Sequence, residues 1–291
     1  MRRLGLDLGG TEIKLALLED ETVVRTATAP TRSEDGGPEQ VLERVVALGR
    51  TAGSVDSVAV SVPGLVDDDG CALLFPNLHG EWAGVPVARP LAHAFGREVP
   101  LLNDGHAFAL AEAEVGAARG FRDVVCVVCG TGVGGGLVLD GRLRLGLDDR
   151  AGEIGHHTVL PDGVLCGCGS HGCLETVAGA RAIADAAGVA TFADAAAAAS
   201  VGDERAAAAF ERAAVFLGVA IANVVLFVAP ERVVVGGGVA EAGDLVFGPL
   251  RREVERRTAN VAPLAKIEIV PAELGPFAGA IGAALHGAAN V

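Results

Sequence analysis

Cys166, Cys168 and Cys173 stand within the eight residues CGCGSHGC, and His156 precedes the first of them by ten positions. A Cys-x-Cys pair is close enough for two thiolates to share one ion, and Gly167, Gly169 and Gly172 let the backbone fold around it. With one imidazole the set becomes Cys3His, a closed tetrahedral zinc site. Position favours His156 as the nitrogen ligand, with His157 and His171 as alternatives. A Cys166–Cys168 disulfide would close a strained small ring. In a reducing compartment, close cysteines bind metal or stay free more often than they pair. A four-ligand site leaves no open position for substrate, so such an ion fixes a loop, here one flanked by the carboxylates Glu153 and Glu175. Cys71, Cys126 and Cys129 read as packing residues.

Three glycine turns form a second set. LDLGGTEIK places Asp7 at a strand end, followed by Gly9, Gly10 and Thr11. Without a Cβ the backbone can come close to a phosphate, and Asp7 can orient a hydrated Mg2+ beside it. CGTGVGGG offers Gly130, Gly132 and the Thr131 hydroxyl. VGGGVAEAG offers Gly236, Gly237 and Gly238, a flat approach for a base or ribose. Neither a Walker spacing nor a strand-GxGxxG-helix fingerprint is present. Each turn alone reads as a tight turn; three in this order, the first carrying an acid, point to a nucleotide. Asn103-Asp104, where a strand passes into a helix, reads on residue types alone as a helix N-cap.

These residues need elements to position them. The N-terminal half reads as strand, glycine turn, strand, a third strand, the helix PEQVLERVVALGRTA, and a strand stopping at Pro63-Gly64. A short strand ending near Leu102 and an Ala-rich helix follow. DVVCVVCGTGVGGGLVLDGRL restarts that pattern, an internal pseudo-repeat of architecture. A long helix ended by Pro230, a strand running into the triple glycine and the start of another helix, a late strand in KIEIVPAEL and a closing helix complete the chain. The joint is expected near residue 117, giving a first lobe of residues 1–116, joined by a closing helix over 276–291, and a second of 117–275.

With 291 residues, 51% of them hydrophobic, the chain can form a sizeable core. Its net charge of −14 disfavours nucleic-acid and anionic-membrane surfaces, which need clustered cations. Phosphates would be held by backbone N–H groups and a metal. No signal segment is legible at the N-terminus, and the apolar stretch VAIANVVLFVA is expected to be a buried helix, so a cytoplasmic protein is expected.

GLDLGGTEIKLAL, VSVPGLVD, NLHGEWAGVPV, LLNDGHAFALAEAEVGAARG, CGTGVGGGLVLDGRL, EIGHHTVLPDGVLCGCGSHGCLE and VVVGGGVAEAG together resemble, in order from about residue 4 to 288, the ROK family of sugar kinases and repressors. The resemblance implies an α/β, two-lobed actin-like ATPase fold, a duplicated ribonuclease H-like arrangement with a cleft between lobes. It implies an ATP- and Mg2+-dependent hexose kinase acting on the 6-hydroxyl, glucose leading, with N-acetylmannosamine or another amino sugar as the alternative and a non-catalytic sugar sensor behind both. On it, Asp104 is the catalytic base, and Gly64, Asn103, Asp104, Glu153, His156 and Glu175 contact the sugar. Asp7, Gly9, Gly10, Thr11, Lys14, Gly130, Thr131, Gly132 and Gly236 to Gly238 line the nucleotide phosphates, with Asp7 serving Mg2+. Structural zinc sits on His156, Cys166, Cys168 and Cys173, and a homodimer forms through the C-terminal lobe. The first glycine motif begins at Leu4, leaving no room for the winged-helix domain of the repressors. Two departures bear on sugar identity and phosphate contact. Gly105-His106 replaces the family's Ala-Asn after Asn-Asp and puts an unusual side chain near the sugar. Glu12 stands where many relatives carry Lys and adds negative charge near the phosphates unless strand alternation turns it away.

Overall fold

The computed structural model describes residues 1–261 and 267–287. Lys266 and the last four positions of the expected closing helix, 288–291, lie outside the described residues. The chain divides into two compact units: Met1–Arg119 with Leu143–Ala151 and the segment from Leu274 onward, and Gly120–Arg142 with Gly152–Glu273.

The first unit rests on a five-stranded sheet in the order β3-β2-β1-β4-β7. β1 (Arg2–Leu8), β2 (Glu12–Glu19) and β3 (Thr22–Pro30) form an antiparallel meander; β4 (Ser57–Val62) and β7 (Leu101–Asn103) run parallel to β1. A small ribbon of β5 (Leu65–Val66) and β6 (Ala72–Leu74) follows β4. Its helices are α1 (Pro38–Arg50), α2 (Ala88–Phe95), α3 (Asp104–Glu114) and the closing helix α9 (Ala278–His286).

The two-residue period of a strand sorts β1. Leu4, Leu6 and Leu8 join Val41, Val45 and Leu48 of α1 in one core. Gly5 and Asp7 face the other way, toward α9. A Cβ on Gly5 would lie 1.8 Å from the Ala280 carbonyl oxygen, and one on Gly282 would lie 1.8 Å from that of Ala107 in α3. The small residues of FAGAIGAAL therefore serve backbone-to-backbone contact with β1 on one side and α3 on the other. The fully buried Glu112 fastens the far end of α3, accepting from the N–H groups of Ala117 at 2.8 Å and Leu274 at 3.0 Å. Nothing in the sequence pattern marks Glu112 for this, because it reads as an ordinary helical acid.

The second unit repeats the arrangement. β8 (Val124–Cys129) and β9 (Val133–Leu139) form a hairpin, with β10 (Arg142–Leu143) at its edge; β11 (Arg232–Gly236) and β12 (Glu268–Pro271) add on parallel to β8. The order β10-β9-β8-β11-β12 matches the first sheet strand for strand. The fold is thus a duplicated ribonuclease H-like arrangement of the actin-like ATPase type. Helices α4 (Glu175–Ala178), α5 (Ala180–Ala187), α6 (Phe192–Ser200), α7 (Glu204–Val228) and α8 (Asp244–Thr258) complete the unit. Among the described residues α7 is the single helix long and apolar enough to cross a membrane, and its Phe210, Leu217, Ile221 and Val225 are buried in the core of this unit. Cys126 and Cys129 are buried in β8 as packing residues, and burial pushes the Cys129 thiol up to about 12.

The helix expected directly after the triple glycine starts later. A turn of 3-10 helix at Ala240–Ala242 and a positive-φ glycine, Gly243 (φ 60°), intervene before α8 begins at Asp244.

Gly282→Ala tests the α9 contact. The added methyl meets main chain that no side-chain rotation can relieve, so the variant loses about 1–3 kcal/mol or more. Calorimetry is expected to show a Tm several degrees lower; an unchanged Tm would contradict the close packing.

Candidate active site

In the first unit, Asn103 is the last residue of β7 and the N-cap of α3. Its Oδ1 accepts from the N–H groups of Gly105 at 2.9 Å and His106 at 3.2 Å, while its Nδ2 donates to the carbonyl of Gly64 at 3.1 Å. The capping expectation therefore holds for Asn103, and the same amide also anchors the Pro63-Gly64 turn. One Nδ2 hydrogen remains for a ligand. Gly64 has φ 105°, and a Cβ there would lie 2.2 Å from the Leu74 carbonyl oxygen, so glycine is required by backbone and packing together. Asp104 opens the helix with its residue exposed, and its Oδ1 accepts from the Gly105 N–H at 2.8 Å. The first turn places this carboxylate at the positive end of the helix dipole.

His106 is 1% exposed and turned into the protein, with Nε2 at 2.7 Å from the carbonyl oxygen of Ala151.

Still in the first unit, Asp7 ends β1 beside the turn Gly9-Gly10-Thr11. Register pairs it with Lys14 across β2, whose Nζ is 3.7 Å from Oδ2, and Ser61 donates to Oδ1 at 2.5 Å. Burial raises the Asp7 carboxyl above the usual range, while the ammonium of Lys14 and the Ser61 hydroxyl pull it back down. Gly9 and Gly10 are required by their own surroundings: added methyls would meet the carbonyl oxygens of Glu12 at 2.7 Å and Asn77 at 2.6 Å. Thr31 pins the turn, donating its hydroxyl to the Gly9 carbonyl at 2.7 Å and its N–H to that of Thr11 at 2.8 Å. Glu12 is exposed, and strand alternation puts it on the same face as Lys14 rather than turning it away.

In the second unit, Val133 is a node. Its N–H donates to Glu175 Oε2 at 3.0 Å, and its carbonyl oxygen would lie 1.8 Å from a Cβ on Gly155. One strand end thus holds both the glutamate that starts α4 and the turn Glu153-Ile154-Gly155-His156. A methyl on Gly132 would meet Glu175 Oε2 at 2.3 Å, and Gly237 is packed on the backbone of Cys129. Gly130 and Gly238, in contrast, face open space. Those two are the glycines whose missing side chains leave room for something other than the protein itself.

His156, Cys166, Cys168 and Cys173 bring their ligand atoms within 4.8 Å of one another. Cys168 Sγ and Cys173 Sγ are 3.6 Å apart, and Cys166 Sγ is 3.8 Å from His156 Nδ1. Zn–S bonds of about 2.3 Å in a tetrahedron put sulfurs about 3.8 Å apart, so the donor set and its spacing fit zinc. His156 turns Nε2 toward Glu153, 3.9 Å away, and Glu175 Oε1 lies 3.9 Å from Cys166 Sγ. Both flanking carboxylates therefore back the cluster. Among the described residues the converging set takes its nitrogen from His156; His171 Nδ1 instead bonds the Gly163 carbonyl at 3.1 Å, and His157 lines an apolar groove with Asn223 and Phe227.

The ROK family model matches residues 3–287. A glucokinase of Thermotoga maritima is 34% identical over 98% of this chain and 96% of its own length. An N-acetylmannosamine kinase of Haemophilus influenzae is 32% identical over 98% of this chain and 94% of its own. A solved ROK family glucokinase from Streptomyces griseus, in complex with glucose and AMPPNP, has a TM-score of 0.88 at 30% identity, covering 99% of this chain and 100% of that one. With the family model matching nearly the whole length and a relative 34% identical over 98% of it, the chain belongs to the ROK family.

Proposed function

We propose that this chain is an ATP-dependent sugar kinase that phosphorylates the 6-hydroxyl of a hexose, glucose foremost. The observation that carries the reading is Asp104: an exposed carboxylate, held on the first turn of α3 by a cap that also anchors Gly64, in a chain aligned end to end with a glucokinase. Phosphorylation of an N-acetylhexosamine is the second reading, favoured by the comparable likeness to an N-acetylmannosamine kinase.

Asp104 accepts the proton of the 6-hydroxyl as its oxygen attacks the γ-phosphorus of ATP; the bond to the β-γ bridging oxygen breaks, leaving ADP and the sugar 6-phosphate. A base so placed contributes about 10²–10⁴-fold. Positioning and charge neutralisation supply most of the rest. Asn103 offers the sugar its remaining amide hydrogen, and the Gly64 backbone, Glu153, His156 and Glu175 read the other hydroxyls. The amides of Gly9, Gly10, Thr11, Gly130, Thr131 and Gly132, with Lys14, hold the phosphates. Gly236 to Gly238 receive the nucleoside, an assignment supported by the open space at Gly238. Asp7, at the strand end beside the first turn, would orient a hydrated Mg2+ carried by the nucleotide, an ion that would supply charge neutralisation.

Zinc on His156, Cys166, Cys168 and Cys173 fixes the loop between Glu153 and Glu175 and takes no part in the transfer. A homodimer through the second unit is supported by Phe227, 92% exposed, and Leu226 at the end of α7 beside the apolar groove. No nucleic acid or membrane enters the proposed reaction, and the protein is assigned to the cytoplasm.

A screen of ADP release over hexoses and N-acetylhexosamines tests the reading. Glucose is expected to give the highest kcat/KM, with Asp104→Asn lower by about 10²–10⁴-fold. A higher kcat/KM on an N-acetylhexosamine selects the second reading, and no sugar signal above the variant contradicts both. Metal analysis of the purified protein is expected to give one zinc per chain, absent from Cys168→Ser. A metal-replete preparation without zinc would overturn that assignment.

A further inference from the structure

His106 extends a chain of hydrogen bonds at the start of α3, and the bond made by its own ring is one that nothing in the reaction described above uses. The chain starts at the Gly64 carbonyl, which accepts from Asn103 Nδ2 at 3.1 Å. Asn103 Oδ1 accepts from the His106 N–H at 3.2 Å, and the His106 ring reaches the Ala151 carbonyl at 2.7 Å. These residues all lie in the first unit. The bonds run directly beneath Asp104, one position after Asn103 and two before His106.

A carbonyl can only accept, so the ring proton sits on Nε2 and Nδ1 carries a lone pair. Nδ1 is buried without a hydrogen-bond partner. A buried polar atom left unpaired is a desolvation penalty that phenylalanine or leucine at this place would avoid. An apolar core has no use for this histidine; the bond from Nε2 is what its presence provides.

The far end of the bond is itself constrained. Ala151 closes the segment Leu143–Ala151 on itself through its N–H to the Leu145 carbonyl at 2.8 Å. Within it Asp148 and Asp149 have φ of 51° and 53°, and a Cβ on Gly146 would lie 2.9 Å from that of Ala151. Two consecutive non-glycine residues in the left-handed region are strained, and such backbone persists only where its surroundings hold it. His286 of α9 interacts electrostatically with His106 and with Asp149 of the segment. Ala151 is two residues before Glu153 in the chain.

We propose that His106 is a positioning residue for sugar binding: through Nε2–H it fastens the strained Leu143–Ala151 segment to the first turn of α3, so that Asp104, Gly64 and the segment leading to Glu153 share one framework. The proposal rests on the kinase reading for its effect on sugar, while the fastening itself can be measured without activity.

Three proteins decide it: wild type, His106→Leu, which fills the site but cannot donate, and His106→Gln, whose amide N–H can reach the same carbonyl. Hydrogen exchange of peptides covering residues 143–156 and steady-state kinetics are measured on each. His106→Leu is expected to speed exchange in that stretch and raise the sugar KM about tenfold or more. The nucleotide KM stays within about twofold, and His106→Gln restores both readouts to near wild type. Unchanged exchange in His106→Leu overturns the proposal. So does faster exchange with an unchanged sugar KM, or a His106→Gln protein as impaired as His106→Leu. If His106→Leu fails to fold, the His106→Gln comparison still decides: wild-type kinetics and exchange support the bond, and a raised sugar KM with fast exchange overturns it. A wild type inactive on every sugar refutes the kinase reading instead, and the exchange arm alone then decides whether His106 holds the segment.

Discussion

Asn103 uses both ends of one amide, and the geometry at the start of α3 depends on it. Its oxygen caps the helix by taking two backbone N–H groups, and its nitrogen holds the carbonyl of Gly64. Without a cap the first turn of a helix has unsatisfied donors and frays. Asp104 sits on that first turn. Holding both the helix and the Gly64 carbonyl needs a cap that accepts and donates at once, which an ionised aspartate could not do and which the amide does with separate atoms. The pair Asn-Asp is a cap followed, in the proposed reaction, by the base, so the cap sets where that carboxylate sits.

The duplicated sheet explains why the glycine turns recur, and the surroundings explain why they are not equivalent. Each unit has a hairpin at the same place in its strand order. In the first, Gly9 and Gly10 are demanded by the carbonyls of Glu12 and Asn77. In the second, Gly132 is demanded by Glu175, while Gly130 is left open. A glycine in a motif can thus be present for the protein's own packing or for a ligand, and only coordinates separate the two. Glu175 is the clearest link in the second unit, because one carboxylate touches both the hairpin at Val133 and the cluster at Cys166.

Much of this was legible from residue types. The strand-turn-strand repeat, the buried α7 and the four-residue cluster at His156 follow from period, composition and spacing, which are local properties. His156 rather than His171 joins the cluster, a choice set by where the fold brings each ring and one that spacing does not reveal. The inward turn of His106 was not legible either: the sequence shows a polar residue after Asp104, and its direction is set by helix phase and by the backbone of α9 pressed against Ala107. Glu112 escaped notice for the same reason, since its partners are 5 and 162 residues away. The delayed start of α8 came from Gly243, whose positive φ delays a helix that periodicity alone would have begun earlier.

The central claim is that the Asp104 carboxylate takes the proton from the attacking hydroxyl. A crystal structure with a bound hexose and a non-hydrolysable ATP analogue tests it most directly. The account predicts an Asp104 oxygen about 2.6–3.2 Å from the sugar 6-hydroxyl, with that hydroxyl facing the terminal phosphoryl group. A hexose bound with its 6-hydroxyl out of reach of Asp104, or held to a different carboxylate, would contradict it.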